Sequence, residues 1–172
     1  MKRSELLILV AMLAVAASYA VPRYLQYQRR GALVEATANL DRIARGAQTY
    51  FASSAKVAKE APQLPPSAAS WAPAPPLHER CAKGKARYDA DANKAFDEGP
   101  WKQLGFTPKA PLALRYHWLV RRQATTLSPA EAAAYALGDL GCDGQLSRWR
   151  VVLRSEGGRL RKRGPELVAG AR

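Results

Sequence analysis

A chain of 172 residues, 48% of them hydrophobic, has room for one modest core and an appendage, which excludes a multidomain enzyme. Its formal net charge of +13 favours phosphate, acidic protein or anionic lipid over cationic partners at any docking surface without choosing among them, although an Ala- and Arg-rich composition also follows from GC-rich coding. The two cysteines, Cys81 and Cys142, form no Cys-x-x-Cys pair of the kind that marks zinc or redox sites.

From Leu6 to Val21 the chain carries no charge, with Lys2, Arg3 and Glu5 before this run and Pro22-Arg23 after it. It reads as a membrane segment, slightly short for a bilayer, with its N-terminus cytoplasmic by the positive-inside rule and the remainder outside. A cleavable signal peptide ending at Ser18-Tyr19-Ala20 is the competing reading. Against it stand Glu5, hard against the apolar run, and a pattern that continues beyond Pro22. Leu33, Ala36, Leu40, Ile43, Ala47 and Tyr50 recur at steps of three and four, with Arg30, Glu35, Asp41, Arg42 and Arg45 largely elsewhere around the helix. One long helix is expected, its first half in lipid and its second half laying an apolar stripe on a C-terminal domain. Pro22 either kinks it or ends the membrane part.

Between Ser53 and Pro76, Pro62, Pro65-Pro66, Pro73 and Pro75-Pro76 forbid any long helix. This stretch is expected to wrap the head as a loop anchored by Leu64 and Trp71, or to be a plain linker. Leu112, Leu114, Tyr116, Trp118 and Val120 then alternate with Ala113, Arg115, His117, Leu119 and Arg121, a half-buried strand. A second strand spans Ala132 to Leu137, and turn formers follow from Gly138 to Gly144. The returning strand, Leu146 to Arg154, is expected to face the core with Ser147, Trp149, Val151 and Leu153. Gly157-Gly158 predicts another hairpin turn, leading to a short last strand around Leu160. An antiparallel meander on the amphipathic helix is the economical architecture.

Glu5, the apolar run, Pro22, Tyr24, Tyr27 and the small-residue amphipathic helix resemble the mature N-terminal helix of type IV pilins and type II secretion pseudopilins, over roughly Glu5 to Phe51. Trp101 to Phe106, followed by an aromatic strand and a Gly-Asp-Leu-rich hairpin, looks like the heads of one pilin subset. The resemblance implies an α+β, type IV pilin-like fold, a long N-terminal helix with membrane and amphipathic halves on a small antiparallel head. The segments would be 1–24, 25–53, a connecting loop over 54–100 and a sheet over 101–172. It further implies a structural subunit, a minor pilin or pseudopilin, with Met1, Glu5 and Pro22 as assembly residues. Glu5 would pair with a neighbour's N-terminal amine, the alternative being an interfacial Glu that pairs with nothing. Residues 1–4 depart from the family, which starts with Phe. Met1 is then the processed residue, or follows a leader absent from the sequence, or begins a chain never processed. Implied partners are other pilins, an inner-membrane assembly platform and the membrane before assembly. The implied location is an inner membrane with a periplasmic head, then a periplasmic or extracellular filament.

A Cys81–Cys142 disulfide would close a loop of about sixty residues and stabilise by roughly 4 kcal/mol; two free thiols are the alternative. Asp139 and Asp143 are the only acids of the 138–144 turn, which suits a structural turn better than calcium. A zinc site of His78, Cys81, His117 and Cys142 matches no finger spacing and competes with the disulfide. No catalytic motif is present, so neither enzyme activity nor cofactor is expected. Arg148, Arg150, Arg159, Arg161, Lys162 and Arg163, with Arg154, form a candidate anion-binding set for nucleic acid or an anionic surface polymer; a solvated edge that blunts aggregation is the alternative. The rival function is a periplasmic or secreted basic binding module with a cleaved signal.

Overall fold

The computed structural model describes residues 3–57, 61–73, 88, 90–108, 111–139 and 144–169. Helix α1 runs Arg3–Val57. A 3-10 helix, Ala90–Phe96, and a short helix α2, Gly99–Gln103, precede four strands: β1, Arg115–Arg122; β2, Glu131–Gly138; β3, Ser147–Glu156; β4, Arg159–Ala169. The strands form one antiparallel sheet in the order β1-β2-β3-β4.

Only the second half of α1 is packed on this sheet, against β2, β3 and β4. Ala36, Leu40, Ile43, Ala44, Ala47 and Phe51 are buried, the i, i+4, i+7 stripe of an amphipathic helix. They meet Tyr116 and Trp118 of β1, Trp149, Val151 and Leu153 of β3, and Leu160 of β4. The inward side chains of β2 are Ala132, Ala134 and Ala136, all fully buried, so the centre of the sheet presents small side chains to the core while the large residues come from the strands on either side. Phe96, Trp101, Phe106 and Tyr116 close one end of the core, with Phe96 edge-on to both Trp101 and Phe106 at 5.2 Å. Gly46 faces this aromatic end, and a side chain there would meet the backbone of Leu104.

The expected pilin-like class, with its long first helix half immersed in lipid, is corrected. Among the described residues no helix is long and apolar enough to cross a membrane. The apolar run from Leu6 to Val21 reaches only about 24 Å at 1.5 Å per residue, against roughly 30 Å of hydrocarbon, and charged residues close it at both ends. The membrane and transmembrane-helix assignments fall with it, as does the inner-membrane location. Within the packed part of α1, Leu33 is exposed and Phe51 replaces the expected Tyr50 in the core, because the sheet ends beneath Glu35 and the stripe drifts by a residue at its far end.

The strand register has identifiable causes. The approach to β1 pairs with the helix before it pairs with the sheet: the Ala113 and Leu114 amides donate to the Glu35 carboxylate at 3.0 and 3.2 Å, so the ladder begins at Arg115 and not at Leu112. At the other end of the sheet, Gly157 and Gly158 both hold positive φ, 56° and 73°, the requirement of a two-residue hairpin loop whose twist matches its strands. β4 extends to Ala169, far beyond the short strand expected around Leu160, because a register shift between Arg150 and Val152 absorbs Gly164-Pro165 and pairing resumes at Glu166. The proline-rich stretch is held along the free edge of β1. Ala68 and Ala72 donate backbone amides to the carbonyls of Trp118 and Tyr116 at 2.8 and 2.9 Å, and Gln123 satisfies both the amide and the carbonyl of Leu64. An edge that would otherwise template aggregation is thereby covered.

Candidate functional site

Two surfaces and one partly buried polar cluster stand out. The first is the N-terminal part of α1. Ala11 to Ala17 is an unbroken apolar run, and seven successive residues at 100° per residue cover every azimuth of a helix. Met12, Leu13, Val15, Tyr19, Tyr24 and Tyr27 are 61–77% exposed, so the head covers none of them. Arg23 donates to the Tyr19 hydroxyl at 2.7 Å and lies 5.0 Å from its ring centroid, which turns the cation along the helix and leaves the aromatic surface outward.

The second is the side of the sheet that faces away from α1. Cross-strand partners share a face, so the outward residues of β3, namely Arg148, Arg150, Val152 and Arg154, bring Arg163 and Arg161 of β4 alongside them. Arg154 stands directly opposite Arg161. The sequence-predicted basic set is therefore largely assembled on one face, with one correction. Lys162 has the opposite parity, pairs with Leu153, and places its ammonium 2.7 Å from Asp41 of α1; it staples helix to sheet and is removed from the set. Arg150 is ion-paired with Glu166, whose hydrogen bond is the chief reason its guanidinium is held protonated above the usual arginine value. Arg148, Arg154, Arg159, Arg161 and Arg163 make no ion pair with any acid among the described residues. Across β1 and β2 the same face carries Arg121, bonded to Glu131 and the Tyr135 hydroxyl. It also carries His117, whose ring stacks on Trp71 at 5.3 Å and 26°. Burial pushes the His117 imidazole below its ordinary value, partly opposed by a hydrogen bond with the Ala68 backbone.

The polar cluster, half-buried Glu35 with buried Asn39 and Tyr116, has no counterpart among the sequence expectations. Glu35 accepts from the Ala113 and Leu114 amides and from the Tyr116 hydroxyl at 3.2 Å, and that hydroxyl in turn accepts from Asn39 at 2.9 Å. Burial, followed by the nearby Glu35 charge, raises the Tyr116 phenol well above 10.0. An acid and an amide at i, i+4 on the margin of the apolar stripe were the available signal; their partners lie near residue 115 and have no local trace.

Of the remaining sequence-predicted residues, Glu5 and Pro22 fall within α1, with their side chains outside the described ones. Met1, His78, Cys81, Cys142 and Asp143 lie outside the described residues, and with them the disulfide and three of the four zinc ligands; the fourth, His117, is stacked on Trp71. Asp139 is buried and accepts the Gly144 amide at 3.0 Å, a turn-closing bond of the kind Asp makes in tight loops. Among the described residues no group of three or more His, Cys, Asp or Glu could hold a metal ion. A groove of about 320 Å³ beside the β1–β2 loop, bounded by Phe51, Pro62 and Ala124, is lined by no acid, imidazole or thiol among the described residues. No protein-family model, curated protein or solved structure matches the chain.

Proposed function

We propose that this chain is a structural subunit of a helical filament, of the type IV pilus or type II secretion kind that its first fifty residues resemble, assembled by packing of α1 against α1 of neighbouring copies. The observation that supports this is the exposed apolar circumference from Ala11 to Ala17. A helix with a single apolar face needs one partner; a helix apolar all round is stable in water only when surrounded. Residues 11–20, every one exposed, span about 15 Å at 1.5 Å per residue, and the head contributes nothing to cover them. Several copies of the same helix, staggered along a common axis, would bury this surface on every side while the basic heads remain outside.

The full chain should sediment as concentration-dependent rods visible by electron microscopy, and Leu13→Glu with Val15→Glu should return it to single subunits with the thermal melt of the head unchanged. A wild-type chain that stays monomeric at its highest attainable concentration, or variants that assemble as readily, would refute the reading. Mass analysis of the native N-terminus is a separate check: a mature chain beginning at Val21 would lack the rod and leave the basic binding module in its place.

A further inference from the structure

We propose that the outward face of the sheet is a docking surface for single-stranded nucleic acid, with the β3–β4 arginines following the phosphates and the Trp71, His117 and Tyr135 rings receiving a base. This goes beyond filament assembly, which uses α1 and leaves the sheet free.

The arginines are arranged at a cost to the fold. Like charges directly opposite one another destabilise a sheet, yet Arg154 faces Arg161, and Arg163 follows two residues on along the same strand face. A solvated edge needs only scattered charge to discourage strand pairing. Glu131 stands beside Arg154 on β2, Glu156 opposite Arg159 and Glu166 opposite Arg150. Yet of these acids only Glu166 pairs with a β3 or β4 arginine, and Arg148, Arg154, Arg159, Arg161 and Arg163 make no ion pair among the described residues. That surplus of positive charge on one face breaks a local rule, as a binding surface commonly does. Arg159, Arg161 and Arg163 sit at i, i+2, i+4 and so recur about every 6.8 Å along β4, a repeat comparable to that of phosphates along an extended strand.

The aromatic residues narrow the occupant. His117, Tyr135 and Arg150 are cross-strand neighbours in one row, and Trp71 reaches over that row to lie 5.3 Å from His117 and 6.4 Å from Tyr135. All three rings are half-buried, held by the fold with part of their surface presented outward. From β1 to β4 is about 14 Å, three inter-strand spacings, within the reach of a few nucleotides. Phosphate-tracking cations beside a pre-placed aromatic platform are what a sequence-tolerant single-strand binder requires. A polyanion without bases would use the arginines and leave the rings idle.

The test is fluorescence anisotropy of a labelled oligothymidylate with the full chain across a salt series. If five arginines each meet a phosphate, the slope of log K against log salt is about −3.5. Arg161→Glu with Arg163→Glu should reduce the slope to about −2. Trp71→Ala and, independently, Tyr135→Ala should weaken binding by about five- to a hundred-fold at fixed salt and leave the slope unchanged. Thermal melts confirm that each variant is folded, and Tyr135→Ala carries the test should Trp71→Ala loosen the wrapping segment. Absence of binding at about 50 mM salt, equal affinity for a duplex or for a sulfated polysaccharide, or indifference to both aromatic substitutions overturns the proposal.

Discussion

Replacing Gly46 by alanine sets two effects of opposite sign against each other. In the interior of a helix, glycine to alanine is worth about 1 kcal/mol of added stability, because the unfolded chain loses backbone freedom and the helix gains a better former. Here the new methyl would lie 1.9 Å from the Leu104 carbonyl oxygen and 2.8 Å from its carbonyl carbon. To reach even 3.0 Å, below which such contacts are essentially never made, helix and segment must separate by about 1.1 Å. That withdrawal is resisted. Leu104 is buried, its amide is bonded to the Pro100 carbonyl, and the Phe106 amide is bonded to that of Trp101, so the carbonyl cannot move without Trp101 and Phe106 moving with it. Overpacking of this kind costs typically 1–3 kcal/mol and more where backbone is involved. The net expectation is a loss of about 2 kcal/mol, or roughly 4–8 °C in melting temperature for a chain of this size. Gly31→Ala is the internal control: it lies in the same helix with nothing within 4 Å of its added methyl, and should gain about 1 kcal/mol. Denaturant titration of both variants reads the difference. A stabilised Gly46→Ala would show that the Leu104 segment yields freely and that the close approach does not hold the aromatic end of the core.

Glu35→Ala leaves two backbone amides and the Tyr116 hydroxyl without their shared acceptor and should cost about 2–4 kcal/mol by denaturant titration, whereas Tyr116→Phe removes one of those bonds and should cost about 1 kcal/mol. Equal costs would mean that the carboxylate does not organise the entry to β1. Because burial holds the folded His117 below 6.5, the unfolded chain takes up the proton more readily. Stability should be full above about pH 6.5, decline as the pH falls through that value, and level off below the folded one; His117→Asn should flatten this acid-side decline in denaturation measured at about pH 5 and pH 7.5. The Lys162–Asp41 pair is partly exposed on both sides, so Asp41→Asn should cost no more than about 1 kcal/mol, with the difference shrinking in high salt; a larger loss would give this staple a greater share of helix docking than its exposure allows.

Side-chain periodicity is local, and what depends on it was legible. The alternation in Ser147 to Leu153 predicts which side of β3 is buried, and Trp149, Val151 and Leu153 are buried. Steps of three and four from Ala36 to Ala47 mark the helix face that meets the sheet, since a face is set by 3.6 residues per turn whatever lies opposite. Glycine pairs mark a hairpin because only their backbone tolerates the turn. Partners and end points are another matter, as they depend on residues far away in the chain. Lys162 looks like one more member of a basic run until Asp41, 121 positions earlier, takes its ammonium. Leu112 looks like the start of a strand until Glu35 claims the next two amides. The apolar stretch after Glu5 shows a helix of hydrophobic surface but not what it is buried against, and length and flanking charge, not hydrophobicity alone, decide whether a bilayer is an answer. Composition and period determined which surfaces of this protein seek cover; only the packing of helix, sheet and wrapping segment decided which of them the molecule covers for itself, because burial is a property of what is brought alongside and not of the residue that is buried.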